Sequence, residues 1–142
     1  MTHGLDTSFL VAMELAAHKE YSVCRNQYQR LYKAGDSFAL APQILAEFIH
    51  AVTDPRRFSS PLTAEQAIER AEMWWNATGI VHLFPTTESS LHFLDWLEKF
   101  KLGRKRLLDT MLATTYLSNG VSSILTLNRN DFSVFDSFTF PK

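Results

Sequence analysis

Four acidic residues stand in sequence surroundings that do not suit a solvated charge. Asp6 follows Leu5 and leads into the apolar run Phe9-Leu10-Val11-Ala12-Met13. Glu47 lies among Ile44, Leu45, Ala46, Phe48 and Ile49, and Asp109 among Leu107, Leu108, Met111, Leu112 and Ala113. Asp131 follows the β-rich run Ser123-Ile124-Leu125-Thr126-Leu127 and can join the others from a loop. A desolvated carboxylate is unfavourable unless a positive or hydrogen-bonding group compensates it, and one bound cation can do so for several acids at once. An all-oxygen site of this kind selects a hard ion, Mg²⁺ or Mn²⁺, over zinc, and Mg²⁺ typically keeps several of its waters. Such an ion lowers the pKa of an attacking water, orients a phosphate and neutralises developing charge, so no nucleophilic serine or cysteine is required.

Each acid also has a purely structural reading. Asp6 can cap the helix that begins near Ser8, Asp109 can favour the positive end of its own helix, and Asp131 can cap the turn before Phe132. Glu47 can pair with Arg56 or Arg57. Basic side chains near the acids, namely Arg56, Arg57, Arg104, Lys105, Arg106 and Arg129, are candidates to hold phosphate, with solvated loop charge as the alternative. The five histidines, His3, His18, His50, His82 and His92, lack zinc-like spacing and are assigned to packing or surface. The pair Trp74-Trp75 can stack bases, but adjacent helical positions face different ways, which favours packing.

The elements that must position these residues alternate. Helices are expected over about 8–15, about 19–33 with Val23, Tyr28, Leu31 and Tyr32 as its apolar stripe, from Pro42 through Ile49, and from a Thr63/Gln66 capping box to about Asn76. Two more are expected around Leu91 to Phe100 and over Leu107 to Leu117. Strands are expected at the start, over Ser37–Ala41, Ile80–Phe84 and Ser123–Leu127, with a last short one near Ser137–Phe140. Alternation of this kind implies a mostly parallel sheet with helices on both faces, where ligands bind beyond the carboxyl ends of the strands. That is where Asp6 stands.

At 142 residues, 46% of them hydrophobic, the chain suits one packed domain spanning residues 1–142. The net charge of −1 does not look like that of a nucleic-acid binder. With four acids gathered in one site, however, the other 14 basic and 11 acidic side chains leave the rest of the molecule at +3. The lone Cys24 excludes an internal disulfide and a multi-thiolate metal site. Without a secretory signal or a long apolar span, the protein is expected to be soluble, cytoplasmic and free of the membrane.

Four stretches in order, Leu5-Asp6-Thr7-Ser8-Phe9-Leu10, Leu45-Ala46-Glu47-Phe48, Leu108-Asp109-Thr110-Met111-Leu112-Ala113 and Thr126-Leu127-Asn128-Arg129-Asn130-Asp131-Phe132, resemble the PIN-domain ribonucleases, most closely the VapC-type toxins of toxin-antitoxin pairs. Thr53-Asp54-Pro55-Arg56-Arg57-Phe58 with Pro61-Leu62-Thr63 resembles a VapC subgroup. The resemblance implies a three-layer α/β/α sandwich around a mostly parallel sheet, with Asp6, Glu47, Asp109 and Asp131 as the acidic quartet and Asp6 and Asp109 as the firmest metal ligands. It places Ser8, Thr126 and Asn128 where they line or support the site. It further implies Mg²⁺- or Mn²⁺-dependent RNA hydrolysis leaving a 5′ phosphate and a 3′ hydroxyl, a cognate antitoxin partner and a homodimer. The lead-in Met1-Thr2-His3-Gly4 is shorter and more polar than the aliphatic run usual in the family, which bears on the length of the first strand.

Two other readings stay open. A housekeeping RNA-processing PIN nuclease would carry the same acids. A phospho-accepting receiver domain would also be α/β with an acidic magnesium pocket, but it wants adjacent acids after the first strand and a late lysine, whereas here Thr7 follows Asp6 and Lys142 is the only lysine after Lys105.

Overall fold

In the computed structural model, which describes residues 1–142, the alternation resolves into four short strands and seven helices. The strands are β1 (Thr2–Leu5), β2 (Ser37–Leu40), β3 (Ile80–His82) and β4 (Ser123–Leu125). The helices are α1 (Thr7–Glu14), α2 (Tyr21–Lys33), α3 (Pro42–Val52), α4 (Ala64–Trp75), α5 (Thr87–Lys99), α6 (Leu107–Ser118) and α7 (Arg129–Ser133), with a 3₁₀ turn (Arg104–Arg106) leading into α6. All strand pairs are parallel and the sheet order is β3-β2-β1-β4.

This order fixes the layers. The chain steps outward from β1 to β2 to β3, then returns past β1 to add β4 on the other side. Right-handed crossovers therefore place α1 to α4 on one face and α5 and α6 on the opposite face, giving the α/β/α sandwich. The reversal between β1 and β4 opens a crevice at their carboxyl ends, the place where open α/β sheets bind ligands.

Local sequence supports each element. Pro42 starts α3, where its missing N–H is not needed, and Thr63 and Gln66 form both bonds of a capping box at α4. Thr86 and Ser89 do the same for α5. Helix α1 is buried from Phe9 to Met13 and α6 buries Leu112, Ala113 and Tyr116, so both helices are anchored in the core, although Leu107 and Leu108 at the start of α6 are exposed. Tyr116 lies flat under β1: a Cβ on Gly4 would stand 2.5 Å from its ring, so only glycine fits there. The Tyr116 hydroxyl donates to the carbonyl oxygens of Leu5 (2.7 Å) and Ala39 (3.2 Å), tying α6 to the ends of both central strands.

Several boundaries differ from the sequence expectation. β3 stops at His82 and β4 at Leu125, and the expected last strand is a single parallel bridge between Ser123 and Thr139. The polar lead-in still forms a four-residue strand, because buried His3 is held between the Ser123 hydroxyl (2.7 Å) and the Asp36 carboxylate (3.0 Å). In α2, Val23 and Tyr32 face solvent. The helix packs through Cys24 and through Tyr28, which stacks on Phe38 at 4.1 Å. Trp74 donates to Glu14 and Trp75 stacks on His82, so both indoles serve packing within the chain. No helix is long and apolar enough to cross a membrane.

Candidate active site

Asp6 leaves the end of β1 at the sheet's reversal point, and its side chain is 6% exposed. Although it occupies the cap position of α1, it makes no capping bond. Its Oδ2 instead accepts from the hydroxyls of Ser8 (2.8 Å) and Thr126 (2.7 Å). Each hydroxyl in turn accepts a backbone N–H from the loop after β4: Ser8 takes Leu127 (3.0 Å) and Thr126 takes Asn128 (2.9 Å). With its single proton committed to Asp6 and its lone pair to a loop amide, each hydroxyl has one orientation, which fixes the carboxylate. Burial pushes the Asp6 carboxyl above the usual range, the two hydroxyls pull it back, and the charge of Asp131 adds to the rise.

Glu47 reaches the same place from the middle of α3. Its Oε2 accepts from Thr7 Oγ1 and Gln43 Nε2, both at 3.2 Å, and Gln43 also donates to the Leu108 carbonyl at the start of α6. Burial, with Asp6 adding repulsion, raises its carboxyl. Asp109, in the first turn of α6, is pushed up to about 6 by burial and by the charges of Asp6, Asp131 and Glu47. Arg106, one turn earlier, pulls the other way across 3.6 Å without cancelling the rise. Arg106 also donates to the carbonyl oxygen of Asp131, while its buried Nε has no hydrogen-bond partner.

Asp6, Glu47 and Asp109 line one open cavity of about 540 Å³ together with Thr7, Ser8 and Asn128. Asp131 does not. It belongs to the first turn of the five-residue helix α7, not to a loop, and lines the neighbouring cavity with Asn128 and Arg129, acting on Asp6 and Asp109 through its charge. No three acidic, imidazole or thiol groups close on a single point as metal ligands. The oxygen donors around the cavity accommodate a hydrated hard cation, since Mg²⁺ dehydrates reluctantly and usually binds through one or two carboxylates and its waters.

The basic candidates separate. Arg57 lines the acid cavity, and Arg106 sits among the acids. Arg56 is turned back on Asp54, so neither it nor Arg57 pairs with Glu47. Arg129 rests over the Phe140 ring and donates to the Pro141 carbonyl, and Arg104 and Lys105 do not line the acid cavity. Thr7, Gln43 and His50 are site residues that the sequence reading missed. Gln43 and His50 lie four residues before and three after Glu47 on one helix, the spacing that places side chains on a common face. No lysine lines this cavity, unlike a receiver-type site.

Comparison of the sequence with known family models and with curated proteins finds no match. Solved structures do match. A sarcin-ricin loop cleaving toxin, VapC20 of Mycobacterium tuberculosis, superposes with a TM-score of 0.71 at 14% identity, covering 98% of this chain and 97% of that one. A chain of the VapBC-1 structure from nontypeable Haemophilus influenzae gives 0.71 at 19% identity, covering 100% and 98%. A chain of VapBC2 from Rickettsia felis, bound to a DNA fragment from its promoter, gives 0.70 at 17% identity, covering 99% and 98%. Over its whole length, therefore, this chain has the PIN-like fold of the VapC proteins.

Proposed function

We propose that the chain is a Mg²⁺- or Mn²⁺-dependent endoribonuclease and the toxin of a VapBC-type pair. The observation that carries this reading is the meeting of Asp6, Glu47 and Asp109, from three elements far apart in sequence, on one cavity at the strand-order reversal. Asp6 and Asp109 are the residues best placed to hold the cation, with Glu47 and Asp131 acting directly or through water. A divalent ion bound there would supply charge neutralisation at the scissile phosphate and activation of water. Asp6, immobilised by Ser8 and Thr126, offers a fixed acceptor oxygen, and Glu47, steadied by Thr7 and Gln43, offers a second. The mutual repulsion that raises the Asp109 carboxyl is the charge that a divalent cation bound there would neutralise.

One structural neighbour cleaves the sarcin-ricin loop and two are VapBC structures. They support an RNA substrate and a cognate antitoxin, and the toxin reading extends to a cytoplasmic homodimer. The test is incubation of purified protein with single-stranded and stem-loop RNA, with Mg²⁺, Mn²⁺ or chelator, beside Asp6→Asn and Asp109→Asn. Cleavage should need the metal and fall by orders of magnitude in both variants. Undiminished cleavage by both would remove the acids from the mechanism. Growth inhibition on expression without a partner tests the toxin role separately.

A further inference from the structure

The acid cavity is not isolated. A second cavity of about 360 Å³ shares Ser8, Val11, Arg57 and Asn128 with it and continues to His18 and Lys19 at the turn between α1 and α2. From these walls we infer that a single RNA strand leaves the acid site along this side, its backbone phosphates held by Arg57 and Lys19. The inference rests on the ribonuclease reading and extends it to the path of the substrate.

Three observations single out this wall. Neither Arg57 nor Lys19 takes part in an ion pair, whereas Arg25, Arg56, Arg70 and Arg106 each face a carboxylate. Arg57 lines the acid cavity and two adjoining ones, with its guanidinium over the Phe58 ring at 5.6 Å and its fork of donors uncommitted. His18 Nδ1 accepts the Glu20 N–H at 3.0 Å, so the neutral ring carries its proton on Nε2, a third donor on the same wall. Glu20 is the one acid lining this second cavity. A strand carrying one charge per nucleotide is repelled by the acid cavity without a cation and needs positive charge just beyond it, and Arg57 and Lys19 supply that charge.

The probe is a short fluorescently labelled single-stranded RNA, titrated in chelator so that nothing is cut, with anisotropy read across a salt series. For single strands, each phosphate contact contributes about 0.7 to the slope of log affinity against log salt, so Arg57→Gln with Lys19→Gln should lower the slope by about 1.4. Arg104→Gln with Lys105→Gln should leave it unchanged, and Arg57→Lys with Lys19→Arg should restore it. Circular dichroism melts show which variants are folded, and should the glutamine pair unfold, Arg57→Gln and Lys19→Gln made singly supply the readout, each expected to lower the slope by about 0.7. An unchanged slope in folded Arg57→Gln/Lys19→Gln, with the parent still cutting RNA in Mg²⁺, overturns the path and leaves the nuclease standing. A parent that neither binds nor cuts RNA overturns both.

Discussion

Replacing Asp109 by Asn should make the metal-free protein more stable at neutral pH, although it removes a charge that the proposed metal site would use. The carboxyl rises from an ordinary 3.8 to about 6 on folding, so folding favours its protonated form. Its ionised form therefore opposes folding above pH 6, and the opposition fades as pH falls through 6 towards 4. The rise corresponds to about 3 kcal/mol, which solvent screening of a side chain 27% exposed trims to about 2 kcal/mol. Asparagine imitates the protonated acid, and the attraction of Arg106 is already contained in the rise. For a domain of this length the gain amounts to about 5–8 °C in Tm. Melts in chelator at about pH 7.5 should show the variant higher, with the gap falling below half at about pH 4.5. Free Mg²⁺ or Mn²⁺ tenfold above its Kd should raise the parent by about 1.4 kcal/mol and the variant by much less. A variant that melts no higher than the parent at pH 7.5, or a gap that ignores pH, would refute the account of mutual repulsion.

Thr126→Val should cost about 1–3 kcal/mol, read by denaturant melts, because it strips one bond from Asp6 and leaves the Asn128 N–H without its acceptor. Its RNA cleavage should fall well beyond any loss of folded protein. Gly4→Ala should lower stability by about 1–3 kcal/mol, since the new methyl would stand 2.5 Å from the Tyr116 ring; an unaltered Tm would show that the ring moves aside freely. Glu14→Leu should cost about 1–3 kcal/mol, chiefly because it leaves the Trp74 indole N–H without its acceptor, while Arg70, 39% exposed, can turn to water. Chemical denaturation measures this, and cleavage per folded molecule should hold steady.

The acids were legible because each interrupts an apolar pattern: Asp6 stands just before α1, Glu47 in the middle of α3 and Asp109 in the first turn of α6. The strand order was not legible. Nothing local in Ser123-Ile124-Leu125 says that it returns past β2 to pair with β1, yet that return makes the crevice. Asp131 was read as a loop residue because five residues are too short to show a helical period. His50 was weighed only against zinc spacing, so its position on the Glu47 face of α3 went unread. Val23 misled because α2 covers the sheet through Cys24, Leu31 and the Tyr28 ring and leaves Val23 and Tyr32 facing water.

The hydrogen bond from Thr126 to Asp6 spans 120 positions of sequence. β1 is central in the sheet and receives β4 only after the intervening residues 6–122 have been made. Until residues 123–128 have cleared the exit tunnel, Asp6 lacks the Thr126 hydroxyl, and Ser8 lacks the Leu127 amide that fixes its own. A nascent chain is thus made with Asp6 unsupported, and the hydroxyl pair that fixes its carboxylate closes only after the segment that follows β4 has emerged.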